Sequence, residues 1–204
     1  MMRFWPLLVL MYPLTAHLSI VYGVPLPAAL LLVTVLSLSF RQAMARRDRT
    51  NVLMLTLYAV FTLMMVEWTG LRGALYLPPV VMNASVAYLF ARSLMPGRTD
   101  LITLIATHVE PEVTPAMQRY ARRACWAWMY FSASLAIAAA ILALYAPIEI
   151  WSWSTNVLNY LLIAGFFIGE WLVRMWVLGR NQTAGPLATL RAMSSFDYKQ
   201  LLQT

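Results

Sequence analysis

Arg119–Tyr145 reads RYARRACWAWMYFSASLAIAAAILALY: three arginines within five residues, then 22 residues, Ala124 to Tyr145, without a single charge. A lipid-spanning helix needs roughly 20 mainly apolar residues. It must also satisfy its own backbone N–H and C=O groups, because the bilayer core offers no water. An uninterrupted helix does both, and the arginines mark where it leaves the membrane. Outward from this stretch the pattern recurs. Comparable apolar runs extend approximately from Phe4 to Tyr22, Val24 to Phe40, Val52 to Trp68, Leu75 to Phe90 and Trp151 to Val173. Gly23 with Pro25 and Pro27 separates the first two as a tight hairpin, and Pro78 and Pro79 open the fourth. Proline suits such first-turn positions because the N–H it lacks would have no partner there.

The composition agrees. Of 204 residues, 61% are hydrophobic and 11% charged, with a mean hydropathy of +0.67. A soluble domain carries about a quarter charged residues, so a water-soluble enzyme is excluded. The expected fold is all-α, a polytopic membrane bundle with six transmembrane helices over residues 1–177. A cytoplasmic loop, 93–118, carries an interfacial amphipathic helix, and 178–204 form a cytoplasmic tail. No small-x-small cleavage site follows the first span, so it is expected to remain as an uncleaved helix.

The 15 Lys and Arg against 8 Asp and Glu give a net charge of +7. In a soluble protein this would suggest nucleic acid. Here it follows membrane topology, since basic residues accumulate on the cytoplasmic side. With both termini inside, every basic residue except Arg72 falls on the cytoplasmic side, Arg3, Arg41, Arg98, Arg119 and Lys199 among them. Nucleic acid is therefore not an expected partner. The eight tryptophans cluster near span ends, where indole rings favour the headgroup level. Trp5, Trp126, Trp128, Trp171 and Trp176 read as inner anchors, and Trp68, Trp151 and Trp153 as outer ones.

Within the loop, Leu101, Ile102, Leu104, Ile105 and Val109 fall at helical spacing. Asp100 supplies an N-terminal signal and Pro111 and Pro115 a stop, so a short amphipathic helix lying in the inner interface is expected. In the tail, Leu187 to Met193 can form a second, while Phe196, Tyr198, Leu201 and Leu202 are candidates for docking on the inner loops.

Polar groups at membrane depth are costly and are functional candidates by default. These are His17, Asn83, Asn156, Asn159 with the adjacent Tyr160, and Glu170. Glu170 and Arg174 are spaced i,i+4, which permits a local ion pair; the functional alternative has Glu170 orienting Arg122 or Arg123 towards phosphate or carboxylate. The asparagines are expected to tie helices together, and His17 to be a hydrogen-bonded interior histidine. Gly165-Phe-Phe-Ile-Gly169 is a GxxxG pattern that allows close helix approach. The small residues of the fifth span suggest a tight hairpin with the sixth, with homodimerisation the competing use. Asn51-Val-Leu echoes Asn156-Val-Leu, hinting at an inverted repeat.

No serine elbow, HExxH, Walker loop or Cys/His cluster is present. Cys125 is the lone cysteine. No catalytic residue, metal site or cofactor is expected.

Met95-Pro-Gly-Arg98, Arg119-Tyr-Ala-Arg-Arg123 with Trp126, Asn156-Val-Leu-Asn-Tyr160 and Gly169-Glu170 up to Arg174 carry a family resemblance. Over roughly residues 92–174 the chain resembles a family of small bacterial inner-membrane proteins associated with aryl polyene and related lipid-biosynthesis gene clusters. It is more faintly similar to the septation protein A family. The resemblance implies a Gram-negative inner membrane and a lipid-pathway role, but no reaction. The expected function is a non-enzymatic membrane accessory protein binding an anionic lipid or acyl intermediate through Arg98, Arg119, Arg122 and Arg123, with Glu170 and Arg174 beside them. The alternatives are a scaffold that docks larger enzymes, or a small lipid transporter. Membrane lipids are the expected partners, with a protein partner or homodimer possible through Gly165 and Gly169.

Overall fold

The computed structural model describes residues 5–107, 112–180 and 183–195, with side chains described from Met11 to Ser194 within those ranges. Among the described residues the chain is all-helical, without strands. Its helices are α1 Trp5–Val21, α2 Leu26–Ala45, α3 Arg49–Thr69, α4 Leu77–Ser93, α5 Leu101–Ala106, α6 Pro115–Tyr145, α7 Ile148–Trp153, α8 Asn159–Leu178 and α9 Pro186–Ser195. A 3₁₀ turn, Leu71–Leu75, precedes α4, and a π-helical turn, Ser154–Leu158, joins α7 to α8.

Among the described residues five helical segments are long and apolar enough to cross a membrane: Leu26–Ala45, Arg49–Thr69, Leu71–Ser93, Pro115–Tyr145 and Ile148–Leu178. This is the make-up of a multi-pass membrane protein. The remaining candidate, α1, is 17 residues long and interrupted by Pro13. α3 displays the consequence of an apolar solvent most clearly. Thr62 is its one buried residue, while Leu53, Leu57 and Leu63 are each more than half exposed. A helix apolar on all sides with almost no protein cover belongs in lipid. Its hydroxyls are neutralised locally: Thr56 donates to the Val52 carbonyl and Thr62 to that of Tyr58. Such i−4 bonds let threonine enter an apolar medium without an orphan donor.

The chain divides into two compact units. The first comprises residues 1–81 and 137–160. Here α1 packs on α2 and α2 on α3, the 3₁₀ turn returns against α2 and α3, and α7 with the π-helical turn lies on α1. A Cβ at Gly73 would collide with Thr69 Oγ1 and the Met65 carbonyl, so only glycine allows that turn to close on α3. The unit's core is Ala16, Ala28, Leu75 and Trp151. Trp151 is completely buried and meets Tyr76 edge-on, ring centroids 4.7 Å apart. Its expected role as an outer-interface anchor is thus corrected: the ring is a core side chain, held by close neighbours rather than headgroups. Trp68 and Trp176, more than four-fifths exposed, keep the form of anchors.

The second unit comprises residues 82–136 and 161–204. Its core is Phe90, Leu94, Leu101, Ile105 and Cys125. The expected interfacial helix is present only as a short helix: α5 is six residues long, with Leu101 and Ile105 buried against α4 and α6 and Ile102 and Leu104 partly buried. Asp100 caps α5, its carboxylate accepting from the Thr103 N–H at 2.9 Å and the Thr103 hydroxyl at 2.8 Å. α9 covers the same cluster through Ala192 and Met193. Val109 and Pro111 of the loop, Arg3, the Trp5 side chain, and Phe196, Tyr198, Lys199, Leu201 and Leu202 of the tail lie outside the described residues.

The GxxxG expectation is also corrected. A Cβ at Gly165 or Gly169 would meet nothing within 4 Å, so the glycines are not the seam of a tight α6–α8 hairpin. Aromatic rings bridge α6 and α8 instead. Phe166 stacks on Phe131 at 4.2 Å and meets Trp128 edge-on at 4.7 Å. Rings of that size hold two backbones farther apart than glycine contacts would. Trp128, half-buried in this cluster and stacked on Phe90, is likewise a packing residue rather than an anchor.

Candidate functional site

α6 begins nine residues before the apolar run read from the sequence, and this extension carries the arginines. Arg119, Arg122 and Arg123 are spaced i, i+3 and i+4, which places them on one helical face. All three are exposed. The Arg122 guanidinium donates to the Leu94 carbonyl at 3.0 Å. That carbonyl lies one residue past the end of α4, where the last carbonyls of a helix lack intrahelical partners and attract cations. Arg98 follows the turn at Gly97, whose φ of +80° suits glycine, and its N–H closes the turn onto the Met95 carbonyl at 3.2 Å. Its side chain is half-buried.

Glu170 does not orient Arg122 or Arg123. Its Oε2 accepts from Arg174 Nη2 at 2.8 Å, the local i,i+4 pair. The reason is geometric: a partner one turn away on the same helix is already in reach, whereas Arg122 is engaged by a carbonyl. The side chains of Arg174 and Glu170 are only 14% and 8% exposed. Glu170 Oε1 and Arg174 Nε are both buried and have no hydrogen-bond partner among the described residues. The Tyr120 hydroxyl donates to the Glu170 backbone carbonyl at 3.0 Å, tying the arginine-bearing turns of α6 to this part of α8. Asn83, in the same unit, is buried.

The other polar candidates collect in the first unit around the π-helical turn. There the Asn159 N–H reaches back to the Ser154 carbonyl, the i→i−5 bond that widens a turn by one residue. Ser152, Thr155, Asn156 and Asn159 are all buried. His17 Nδ1 lies 3.0 Å from Ser152 Oγ, and Asn156 Nδ2 donates to the same oxygen at 3.3 Å. Ser152 therefore links α1 to the wide turn, and sequence reading overlooked it. The i,i+4 spacing of Ser152 and Asn156 was visible. The bond to His17 joins residues 135 positions apart, and no sequence pattern announces it. Tyr160 is half-buried at the same level of the chain. The echo between Asn51 and Asn156 has no structural counterpart: Asn51 donates to the α3 cap Asp48 at 2.8 Å, whereas Asn156 sits in the π-helical turn.

Replacing Ser152 by alanine removes the shared oxygen and strands two polar groups. Interhelical hydrogen bonds in membrane proteins are worth about 0.6 kcal/mol on average and about 1.7 at most. Ser152→Ala is expected to lower stability towards the upper part of that range, read by thermal denaturation in mild detergent. An unchanged midpoint would mean that neither bond contributes.

Among the described residues no group of three His, Cys, Asp or Glu side chains is placed to hold a metal ion. No protein-family model, curated protein or solved structure matches this chain.

Proposed function

We propose that the chain is a non-enzymatic accessory protein of the bacterial inner membrane, with six spans and both termini cytoplasmic. In this reading it binds an anionic lipid or acyl intermediate for lipid-type assembly or transfer. The observation that carries it is the exposed face of Arg119, Arg122 and Arg123 at the start of α6. Arginine suits phosphate and carboxylate because its planar fork bonds two oxygens at once. An apolar run would explain the span, but not three exposed arginines on one face of the same helix, of which Arg122 also donates to the Leu94 carbonyl. The distribution of basic residues, all but Arg72 on one side of the six-span arrangement, supports the orientation. The lipid pathway rests on the resemblance read in residues 92–174 and is part of the proposal.

The test is the triple variant Arg119→Gln, Arg122→Gln and Arg123→Gln, inserted normally as judged by protease accessibility. Hydrogen bonds to charged groups are worth about 1.5–3 kcal/mol. Loss of even one such contact should reduce retention of an anionic phospholipid by about tenfold. Equal retention by the inserted variant and the parent would reject the reading.

A second reading, a scaffold or homodimer, is favoured by the open face at Gly165 and Gly169. Disulfide trapping of Gly165→Cys between copies, in a Cys125→Ala background, would support a homodimer. Copurification of a stoichiometric enzyme would support the scaffold.

A further inference from the structure

A groove lies where α2 ends and α3 begins, lined by Met44, Arg47, Arg49, Val52, Leu53 and Thr56 and enclosing about 470 Å³. Its two ends differ in chemistry. Arg47 and Arg49 stand at the turn, with Arg46 beside them. The turn's acidic residue, Asp48, caps α3, accepting from the Asn51 N–H and from Asn51 Nδ2, and its one charge is outnumbered by Arg46, Arg47 and Arg49 beside it. The opposite end is apolar. Met44 and Leu53 are more than half exposed, and the Thr56 hydroxyl is consumed by the Val52 carbonyl. Along α3, Arg49 to Thr56 is a path of about 10 Å at 1.5 Å per residue.

Arg47 carries a second signal. It is the one non-glycine described residue with positive φ, +54°. It ends α2 as the left-handed residue of a Schellman-type cap, with the Asp48 N–H on the Ala43 carbonyl and the Arg47 N–H on that of Met44. Glycine is the residue that position favours, and any other side chain strains it. An arginine held there at a conformational cost points to a use for its side chain.

We propose that this groove is a binding site for an anionic phospholipid, distinct from the Arg119–Arg123 face. Arg47 and Arg49 hold the headgroup phosphate, and one acyl chain lies along Met44, Val52 and Leu53 towards Thr56. The occupant follows from placement and from charge. α2 and α3 are each long and apolar enough to cross a membrane, so the turn between them stands at headgroup level. A phosphate there meets cations, and a chain descending from it meets an apolar wall. Free phosphate would leave that wall unused, and a zwitterionic lipid would bring its own cation against the arginines.

The experiment is native mass spectrometry of the full chain, extracted in mild detergent and titrated with phosphatidylglycerol. Phosphatidylcholine is the parallel arm, and inorganic phosphate the competitor. The variant is Arg47→Gly with Arg49→Gln. Glycine relieves the positive φ, so this variant is expected to melt no lower than the parent, and loss of binding will not reflect loss of fold. The parent is expected to hold phosphatidylglycerol about tenfold more tightly than the variant. It should prefer phosphatidylglycerol to phosphatidylcholine, and millimolar phosphate should not displace the lipid. Equal retention by parent and variant would overturn the proposal, as would equal binding of both lipids or displacement by phosphate. The Arg122→Gln, Arg123→Gln variant separates the two sites. If it, rather than the Arg47 variant, loses the tightest lipid, the groove is not the site; if it keeps that lipid, the groove stands independently of the function proposed above.

Discussion

Arg174→Met is expected to destabilise the protein by roughly 3–5 kcal/mol, the cost of leaving one member of a buried ion pair without the other. The Glu170 side chain is 8% exposed and its Oε2 is bonded to Arg174 at 2.8 Å, while Oε1 has no partner among the described residues. Removing the guanidinium strands a carboxylate in an apolar setting, where it draws water into the helix packing. Glu170→Gln should cost less, because an amide is neutral. The informative variant is the double one, Glu170→Leu with Arg174→Met. Replacing a buried pair by apolar side chains of similar volume is often neutral or stabilising, so the double variant should recover most of the loss. Unfolding in graded denaturing detergent, followed by near-ultraviolet circular dichroism, gives these stabilities and, with the single variant Glu170→Leu added, the coupling between the two positions. If the double variant is as unstable as Arg174→Met, the pair is not what holds this part of α8. Full recovery would also direct attention to function, since a pair dispensable for stability needs another reason to be there.

Trp151→Ala should be comparably severe, at about 3–5 kcal/mol for deleting a large buried aromatic. The ring is fully buried between Ala16, Ala28 and Leu75 and meets Tyr76 edge-on. Its neighbours, held in their own helices, fill only part of the space it leaves, so the cavity term persists. Trp151→Phe separates packing from polarity. The indole N–H has no partner among the described residues, so phenylalanine loses volume but no hydrogen bond. It should retain well over half of the parent stability difference. Were Trp151→Phe as damaging as Trp151→Ala, the N–H would have to be engaged after all. A tryptophan that merely anchored the chain at an interface would tolerate both changes.

The lower-cost polar contacts sort differently. Ser152, His17 and Asn156 form a shared hydrogen-bonded group, whereas Glu170 and Arg174 form a charged pair with capacity to spare. The first resembles a tie between helices. The second stands on the helix that the Tyr120 hydroxyl links to the arginine-bearing turns of α6.

Much of this was legible in the chain itself. Apolar runs near 20 residues long are helices in lipid because nothing else satisfies their backbone, and α2, α3, α4, α6 and the α7–α8 segment follow the stretches read from sequence. Asp100 caps the helix it precedes through its near neighbour Thr103, and Glu170 pairs with Arg174 because the i,i+4 spacing brings them together. All of these are short-range or one-dimensional properties. The destination of side chains that leave a helix was not legible. Trp151 looked like an interface anchor and Leu101–Ile105 like a membrane-surface stripe, yet both are buried in protein. Gly165 and Gly169 looked like a seam and are open. Hydrophobicity does not distinguish lipid from a neighbouring helix, since both are equally apolar to a leucine or an indole. Only the packing of residues distant in sequence makes that choice, and it alone brought His17 to Ser152.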